Sequence, residues 1–122
     1  MNIHRLLELA VKKTRAFGLE TQALMSDLAR VSGNDKQLKQ SFEACVQGYG
    51  VSIKKLEEAK EFLSKSSFES AYYAVAKAHE YSYVCKDQFE GPSNEPALAL
   101  NRSEKFISVC HIVWNLAEVL LN

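Results

Sequence analysis

Residues 42–63, which read FEACVQGYGVSIKKLEEAKEFL, decide the fold. Apolar or small residues return here at every third or fourth position, beginning just before the stretch: Leu38, Phe42, Cys45, Tyr49, Ser52, Leu56, Ala59 and Leu63. This spacing follows one face of an α-helix. Charged residues fill the opposite face over 54–61, so we predict a helix that packs one side against a core and exposes the other to water.

Three further segments repeat the pattern. Their predicted buried faces are Ile3, Leu7, Ala10, Thr14, Phe17, Thr21, Leu24, Leu28 and Val31; then Phe68, Ala71, Val75, Ala78, Ser82, Cys85 and Phe89; then Leu100, Ile107, Cys110, Trp114, Ala117 and Leu121. Short connections at 32–35 and near 65 and a proline-containing loop at 90–96 separate them. A chain of 122 residues suits one domain over 1–122. We therefore predict an all-α fold, an antiparallel up-down-up-down four-helix bundle.

Local signals place the helix ends. Gly33 suits a left-handed C-terminal cap, and Asn34 or Asp35 can cap the second helix. Ser66 and Glu69 have the spacing of a capping box, which predicts that the Ser66 hydroxyl accepts from the Glu69 amide. The fourth helix is predicted to begin at Pro96 or, alternatively, behind Asn101. Gly48 lies inside the second helix, where we expect close approach of another helix or a kink.

Composition and motif content argue against several classes of function. Fifteen basic residues balance fifteen acidic ones, which argues against a dedicated nucleic-acid binder. The apolar runs are too short for a membrane span. The sequence carries no spacing typical of a metal site, a phosphate-binding loop or a catalytic serine, so we expect no metal and no cofactor.

The three cysteines leave two possibilities open. Reflection through the turn near residue 65 sets Cys45 opposite Cys85, whereas reflection through the loop near residue 94 sets Cys110 opposite residue 78. A Cys45–Cys85 bridge is therefore feasible, with Cys110 as a free thiol, and three buried reduced thiols are the alternative. Cys110 and His111 are adjacent and point about 100° apart on a helix, so they do not form a nucleophile–base pair with each other.

Four tyrosines lie on the third helix, at 72, 73, 81 and 83. They are either amphipathic residues at the rim of the core or a face for a protein partner. Because no catalytic constellation accompanies them, the sequence favours a binding or inhibitory module over an enzyme.

At the level of family, the chain resembles the plant invertase and pectin methylesterase inhibitors. The resemblance rests on the helical patterns Phe42-x-x-Cys45-x-x-x-Tyr49, Leu56-x-x-Ala59, Phe68-x-x-Ala71 and Cys85-x-x-x-Phe89, and on Asn101-Arg102 after the proline loop. It implies a four-helix bundle, the Cys45–Cys85 disulfide and no enzymatic activity. It also implies an N-terminal helical hairpin with its own disulfide, which residues 1–25 do not match. We therefore expect the chain to be either a truncated form of a family member or a naturally short variant.

The resemblance implies two possible targets. Family members that inhibit invertase carry Pro-Lys-Phe at the second turn, where this chain has Ser66-Ser67-Phe68 preceded by Lys65. Members that inhibit pectin methylesterase tend to carry Thr-Asp where this chain has Glu80-Tyr81. The expected partner is pectin methylesterase first and acid invertase second, and a non-inhibitory bundle is the remaining alternative. The predicted target-binding residues are Lys65, Ser66, Ser67, Phe68, Tyr72, Tyr73, Glu80 and Tyr81.

The same resemblance implies secretion to the plant cell wall, or delivery to the vacuole, with no membrane or nucleic-acid partner. We expect a monomer or a weak homodimer. The tripeptide Asn101-Arg102-Ser103 is an N-glycosylation sequon, which makes Asn101 a candidate modification site in a secreted chain.

Overall fold

The computed structural model describes residues 2–89 and 96–122. Their helices are α1 (Ile3–Val31), α2 (Lys36–Ser64), α3 (Phe68–Tyr81), the one-turn α4 (Val84–Asp87) and α5 (Ala97–Leu121). Helix α1 packs against α2 and α5, and α3 packs against the same two helices. This arrangement confirms the all-α antiparallel bundle. The predicted loop at 90–96 lies outside the described residues except for Pro96.

Polar side chains cap the N-terminal ends of α1 and α2, and at α2 the cap is Asp35, one of the two residues predicted for it. The Asn2 side chain accepts from the Arg5 amide at 2.8 Å, and the Asp35 side chain accepts from the Leu38 amide at 3.0 Å. Gly33 has a φ of +60°, the left-handed conformation that a residue without Cβ adopts at little cost. Helix α5 begins directly after Pro96, so the alternative start behind Asn101 is wrong.

The predicted capping box between α2 and α3 is wrong. Ser67, not Ser66, precedes α3, and its side chain makes no capping hydrogen bond. Ser66 instead adopts a φ of 57°. Its amide donates to the Leu63 carbonyl at 3.1 Å and the Ser67 amide to the Phe62 carbonyl at 2.8 Å, which is a Schellman ending of α2. The turn therefore uses its serines to satisfy the carbonyls of the preceding helix.

The buried faces of α2 and of the third segment match the prediction closely. From Phe42 to Leu63 every predicted position of α2 is buried, and so is every predicted position from Ala71 to Phe89. The third segment is interrupted, however: after Tyr81 its hydrogen bonds tighten to the i−3 spacing, and α4 resumes at Val84.

The buried faces of α1 and α5 are rotated from those predicted. Helix α5 buries Ala99, Ser103, Phe106, Cys110, Val113 and Ala117. Leu121 is exposed and Trp114 only half-buried. On α1 the buried centre is Leu7, Val11, Thr14, Gly18, Thr21, Met25 and Ala29, while Val31 is 69% exposed.

None of the helices in the described ranges combines the length and the hydropathy that a membrane span requires.

Candidate protein-binding surface

A disulfide between Cys45 and Cys85 ties α2 to α4, with the two Cα atoms 4.2 Å apart. One turn further along α2, Gly48 lies so close to Val84 that an added Cβ would stand 2.6 Å from the Val84 Cβ. The glycine therefore permits the close approach that the sequence predicts. The bridge and this contact hold the C-terminal end of the α3–α4 segment against α2.

The third cysteine is a core residue. Cys110 is fully buried, and burial raises the pKa of its thiol to about 12. Because the thiolate is the reactive form, a thiol with this pKa is not a nucleophile near neutral pH. In the described part of the chain, no group of three or more His, Cys, Asp or Glu side chains is placed to hold a metal ion.

An open groove of about 940 Å³ runs over the exposed surface of α3, between α2 and α5. We call it the α3 groove. Its walls are Lys55, Glu58 and Phe62 from α2; Ser70, Tyr73, Ala74, Ala76, Lys77, His79 and Glu80 from α3; Tyr83; and Trp114 from α5. It is mostly apolar in lining and carries charge of both signs.

Two ion pairs hold the charged side chains of the α3 groove. Lys55 lies 3.3 Å from the Glu58 carboxylate, and Lys77 lies 2.9 Å from the Glu80 carboxylate. The hydrogen bond to Glu80 raises the pKa of Lys77 above its usual 10.5. Tyr73, which lines the same groove, is 63% exposed. The surface thus presents an aromatic ring together with ion-paired charges of both signs.

Of the eight target-binding residues predicted from sequence, Tyr73 and Glu80 line the α3 groove, and so does Tyr83, the fourth tyrosine of the predicted partner face. Tyr72 is half-buried and braces Tyr73 edge-on, with ring centroids 5.3 Å apart. Tyr81 is half-buried, and its ring lies 5.9 Å from the Lys77 ammonium. Tyr73 is therefore available to a partner, whereas Tyr72 and Tyr81 are half-buried and pack against neighbouring side chains.

The predicted turn residues form a separate site at the end of the bundle. Lys65 and Ser66 are exposed there, whereas Ser67 and Phe68 are half-buried. Phe68 packs edge-on against His4 of α1, with ring centroids 5.0 Å apart. The same His4 ring lies 3.1 Å from the Leu63 carbonyl oxygen. Phe68 is thus engaged within the bundle, and of the four predicted turn residues only Lys65 and Ser66 are freely presented.

Sequence reasoning missed an aromatic and histidine cluster at the α5 edge of the groove. His79 stacks on Trp114 with ring centroids 5.1 Å apart, and His111 lies 5.3 Å from His79. The His79 Nε2 and Trp114 Nε1 atoms are buried without a hydrogen-bond partner among the residues described. Burial, and then the neighbouring His111, lower the pKa of His79 below 6.5.

The sequence did contain a signal for the α2 wall of the groove. Reflection through the turn near residue 65, which pairs the cysteines, also sets Glu58 opposite Tyr72 and Lys55 opposite Val75, each within two residues of a side chain that lines the groove. The α5 wall had no such signal, because Trp114 fell on the predicted core face rather than at its edge.

The fold and this surface define a class: a disulfide-bridged helical bundle that presents a rigid face of aromatic and ion-paired residues. The family model described as plant invertase/pectin methylesterase inhibitor matches residues 2–113, and the chain belongs to this family.

One curated relative is similar to the chain in sequence, and two solved structures are similar to it in fold. The chain is 26% identical over 113 residues to a pectinesterase inhibitor of Actinidia deliciosa. The match covers 93% of the chain and 60% of that relative's length. The chain is also similar in fold to the crystal structure of a pectin methylesterase inhibitor from Arabidopsis thaliana, with a TM-score of 0.87 and 22% identity. That match covers 97% of this chain and 78% of the Arabidopsis chain. A mutant form of the Arabidopsis inhibitor gives the same TM-score.

Proposed function

We propose that this chain inhibits pectin methylesterase by binding it one-to-one, without covalent chemistry, across the mouth of its active-site cleft. The observation that carries the proposal is the α3 groove with the exposed Tyr73 in its lining, on a chain that belongs to this inhibitor family. The name of the Actinidia relative supports pectin methylesterase as the kind of target.

Tyr73 has the properties of an interface anchor. Tyrosine is enriched among the residues that dominate binding energy, since it buries a large ring at a small cost in side-chain entropy. Tyr72 braces its ring, and the Lys77–Glu80 pair on the next turns supplies both a donor and an acceptor. A surface already ordered in this way loses little further freedom when a partner binds.

The first test is a stoichiometric titration of the oxidised protein against a plant pectin methylesterase and a plant acid invertase, side by side at mildly acidic pH. The proposal expects loss of pectin methylesterase activity at an equimolar ratio and unchanged invertase activity. If neither activity is lost, the chain is a non-inhibitory bundle of the same family and the proposal fails.

The second test locates the binding surface. Truncation of a buried aromatic anchor costs about 2 kcal/mol or more, so Tyr73→Ala is expected to weaken inhibition about 30-fold. Val31→Ala is the matched control, because Val31 is similarly exposed (69%, against 63% for Tyr73) and lies on α1, outside the groove. Equal inhibition by both variants would remove the α3 groove from the mechanism.

The turn carries the second candidate function, inhibition of acid invertase. Ser66 is an exposed residue other than glycine in the left-handed region, and strained backbone of this kind concentrates at functional sites. Lys65, exposed beside it, would complement the carboxylates on which a glycosidase cleft relies. The test is Lys65→Glu: under this alternative it abolishes invertase inhibition, while under the first proposal it leaves pectin methylesterase inhibition unchanged.

We also propose that the protein works outside the reducing cytosol, in the plant cell wall, as a monomer or a weak homodimer. The Cys45–Cys85 bridge supports this compartment, since disulfides persist in oxidising environments. Fractionation of apoplastic fluid tests the location. Sedimentation equilibrium at several concentrations tests the oligomeric state.

A further inference from the structure

The sequon at 101–103 lies within α5, and its two reactive side chains have opposite environments. Asn101 is exposed. Ser103 is fully buried, and its hydroxyl accepts a hydrogen bond from the Tyr49 hydroxyl of α2 at 3.1 Å. The acceptor amide therefore faces water while the hydroxyl that completes the sequon is locked inside the bundle.

Helix geometry separates the first and third side chains of any sequon that lies within an α-helix. Successive residues of an α-helix are turned by about 100°, so residues two apart point to nearly opposite sides. An oligosaccharyltransferase must bind the Asn amide and the hydroxyl two residues later in one active site. The folded α5 does not offer both groups to a single enzyme surface.

From this arrangement we propose that Asn101 is N-glycosylated, and that the sugar is attached only before α5 folds and packs. The proposal rests on the secretion proposed above. In the transfer, the Asn101 amide nitrogen attacks the anomeric carbon of a lipid-pyrophosphate-linked oligosaccharide. The new nitrogen–carbon bond replaces the bond from that carbon to the pyrophosphate oxygen; the lipid pyrophosphate leaves, and the amide gives up one proton to a base.

The finished bundle tolerates the sugar. Asn101 lies on the water-facing side of α5, 13 residues before Trp114, a separation of about 20 Å along the helix axis. A glycan attached there points away from the core and leaves the α3 groove open. The glycosylated and unglycosylated proteins are therefore expected to inhibit a target equally.

The first experiment directs the full chain into the endoplasmic reticulum with an added secretion signal and compares the intact mass of the secreted protein before and after glycosidase digestion. The wild type is expected to lose the mass of one glycan, and Asn101→Gln to lose none. Asn115→Gln is the matched control: Asn115 is also exposed on α5 but is followed by Leu116-Ala117, so this variant should behave as the wild type. A secreted wild type with bare Asn101 overturns the proposal.

The second experiment tests the timing. Folded, oxidised, unglycosylated protein and the same protein reduced and unfolded are incubated with microsomal oligosaccharyltransferase and its lipid-linked donor. Only the unfolded chain is expected to gain the glycan, and unfolded Asn101→Gln should gain none. Equal modification of folded and unfolded chains, or modification of neither, refutes the order of events.

Both experiments measure the mass of the protein rather than its inhibitory activity, and the secretion signal is added by the experimenter. A negative result therefore argues against glycosylation of Asn101 alone, and it leaves the proposed inhibition of pectin methylesterase and the proposed secretion untouched.

Discussion

Replacement of Gly48 by alanine tests whether the contact between α2 and α4 is as close as the structure indicates. The added Cβ would stand 2.6 Å from the Val84 Cβ and 2.8 Å from its Cγ1, well inside the ordinary carbon–carbon separation of about 3.5–4.0 Å. Rotation of the Val84 side chain does not move its Cβ. Relief requires a shift of α4, which the neighbouring Cys45–Cys85 bridge opposes.

The magnitude follows from two opposing effects. Overpacking of a filled core costs about 1–3 kcal/mol, and we take the upper end because the clashing atom is fixed to the backbone. Alanine recovers about 1 kcal/mol of helix propensity relative to glycine. The expected net loss for Gly48→Ala is therefore about 2 kcal/mol of unfolding free energy.

Urea denaturation of the oxidised protein, followed by far-ultraviolet circular dichroism, measures this loss. With a slope of about 2 kcal/mol per molar urea, the midpoint falls by about 1 M. Gly50→Ala is the matched control in the same helix. Its Cβ would meet only the Gln22 amide nitrogen at 3.3 Å. That amide donates to the Val46 carbonyl at 3.0 Å, so a small strain on this hydrogen bond offsets part of the helix propensity that alanine gains, and we expect a change of less than about 1 kcal/mol.

A double-mutant cycle adds a sharper criterion. Val84→Gly removes the clashing Cβ and should make Gly48→Ala nearly neutral, whereas Val84→Ala retains that atom and should not. A Gly48→Ala protein as stable as Gly50→Ala would refute the close packing of α2 on α4.

Three other predictions concern the turn, the disulfide and pH. Ser66→Gly should raise the unfolding free energy by about 1 kcal/mol, because glycine adopts the positive φ of 57° without strain; urea melts check this. Paired serine substitution of Cys45 and Cys85 should lower it by about 4 kcal/mol for a bridge spanning 40 residues, again measured in urea. His79 has a pKa below 6.5 in the folded protein, so the unfolded chain takes up its proton first and stability falls as the pH drops below 6.5. Thermal melts from pH 7.5 to 4.5 should show this slope, and His79→Gln should flatten it.

The buried faces show for which helices hydrophobic periodicity was sufficient to predict the core positions. Helix α2 alternates core residues with a charged outer face, so its core positions from Phe42 to Leu63 could be read directly. Helix α5 is apolar on several sides: Leu98, Ile112 and Val119 are all more than half exposed. Its charged residues are confined to 102–105 and Glu118, so the stretch between them has no charge to orient it, and the predicted core was rotated toward Trp114.

The turn shows a competition between two local motifs. Ser66 and Glu69 satisfy the spacing of a capping box, and Ser66 also stands where α2 needs a left-handed residue. The structure chooses the second, because the carbonyls of Phe62 and Leu63 would otherwise lack the amides of Ser67 and Ser66. Sequence spacing could not rank these two uses of the same serine.

By itself the sequence determined the helices and their antiparallel order, and it set Cys45 opposite Cys85, so that a bridge between them was feasible. Each depends on periodicity and on distance from a turn, and both are properties of a single chain segment or hairpin. Only the tertiary structure decided which flank of α3 stays open, because the α3 groove needs Lys55, Tyr73 and Trp114 from three helices at once. The rotation of each helix about its axis sets which side chains meet there, and that rotation is fixed by packing against all neighbours together.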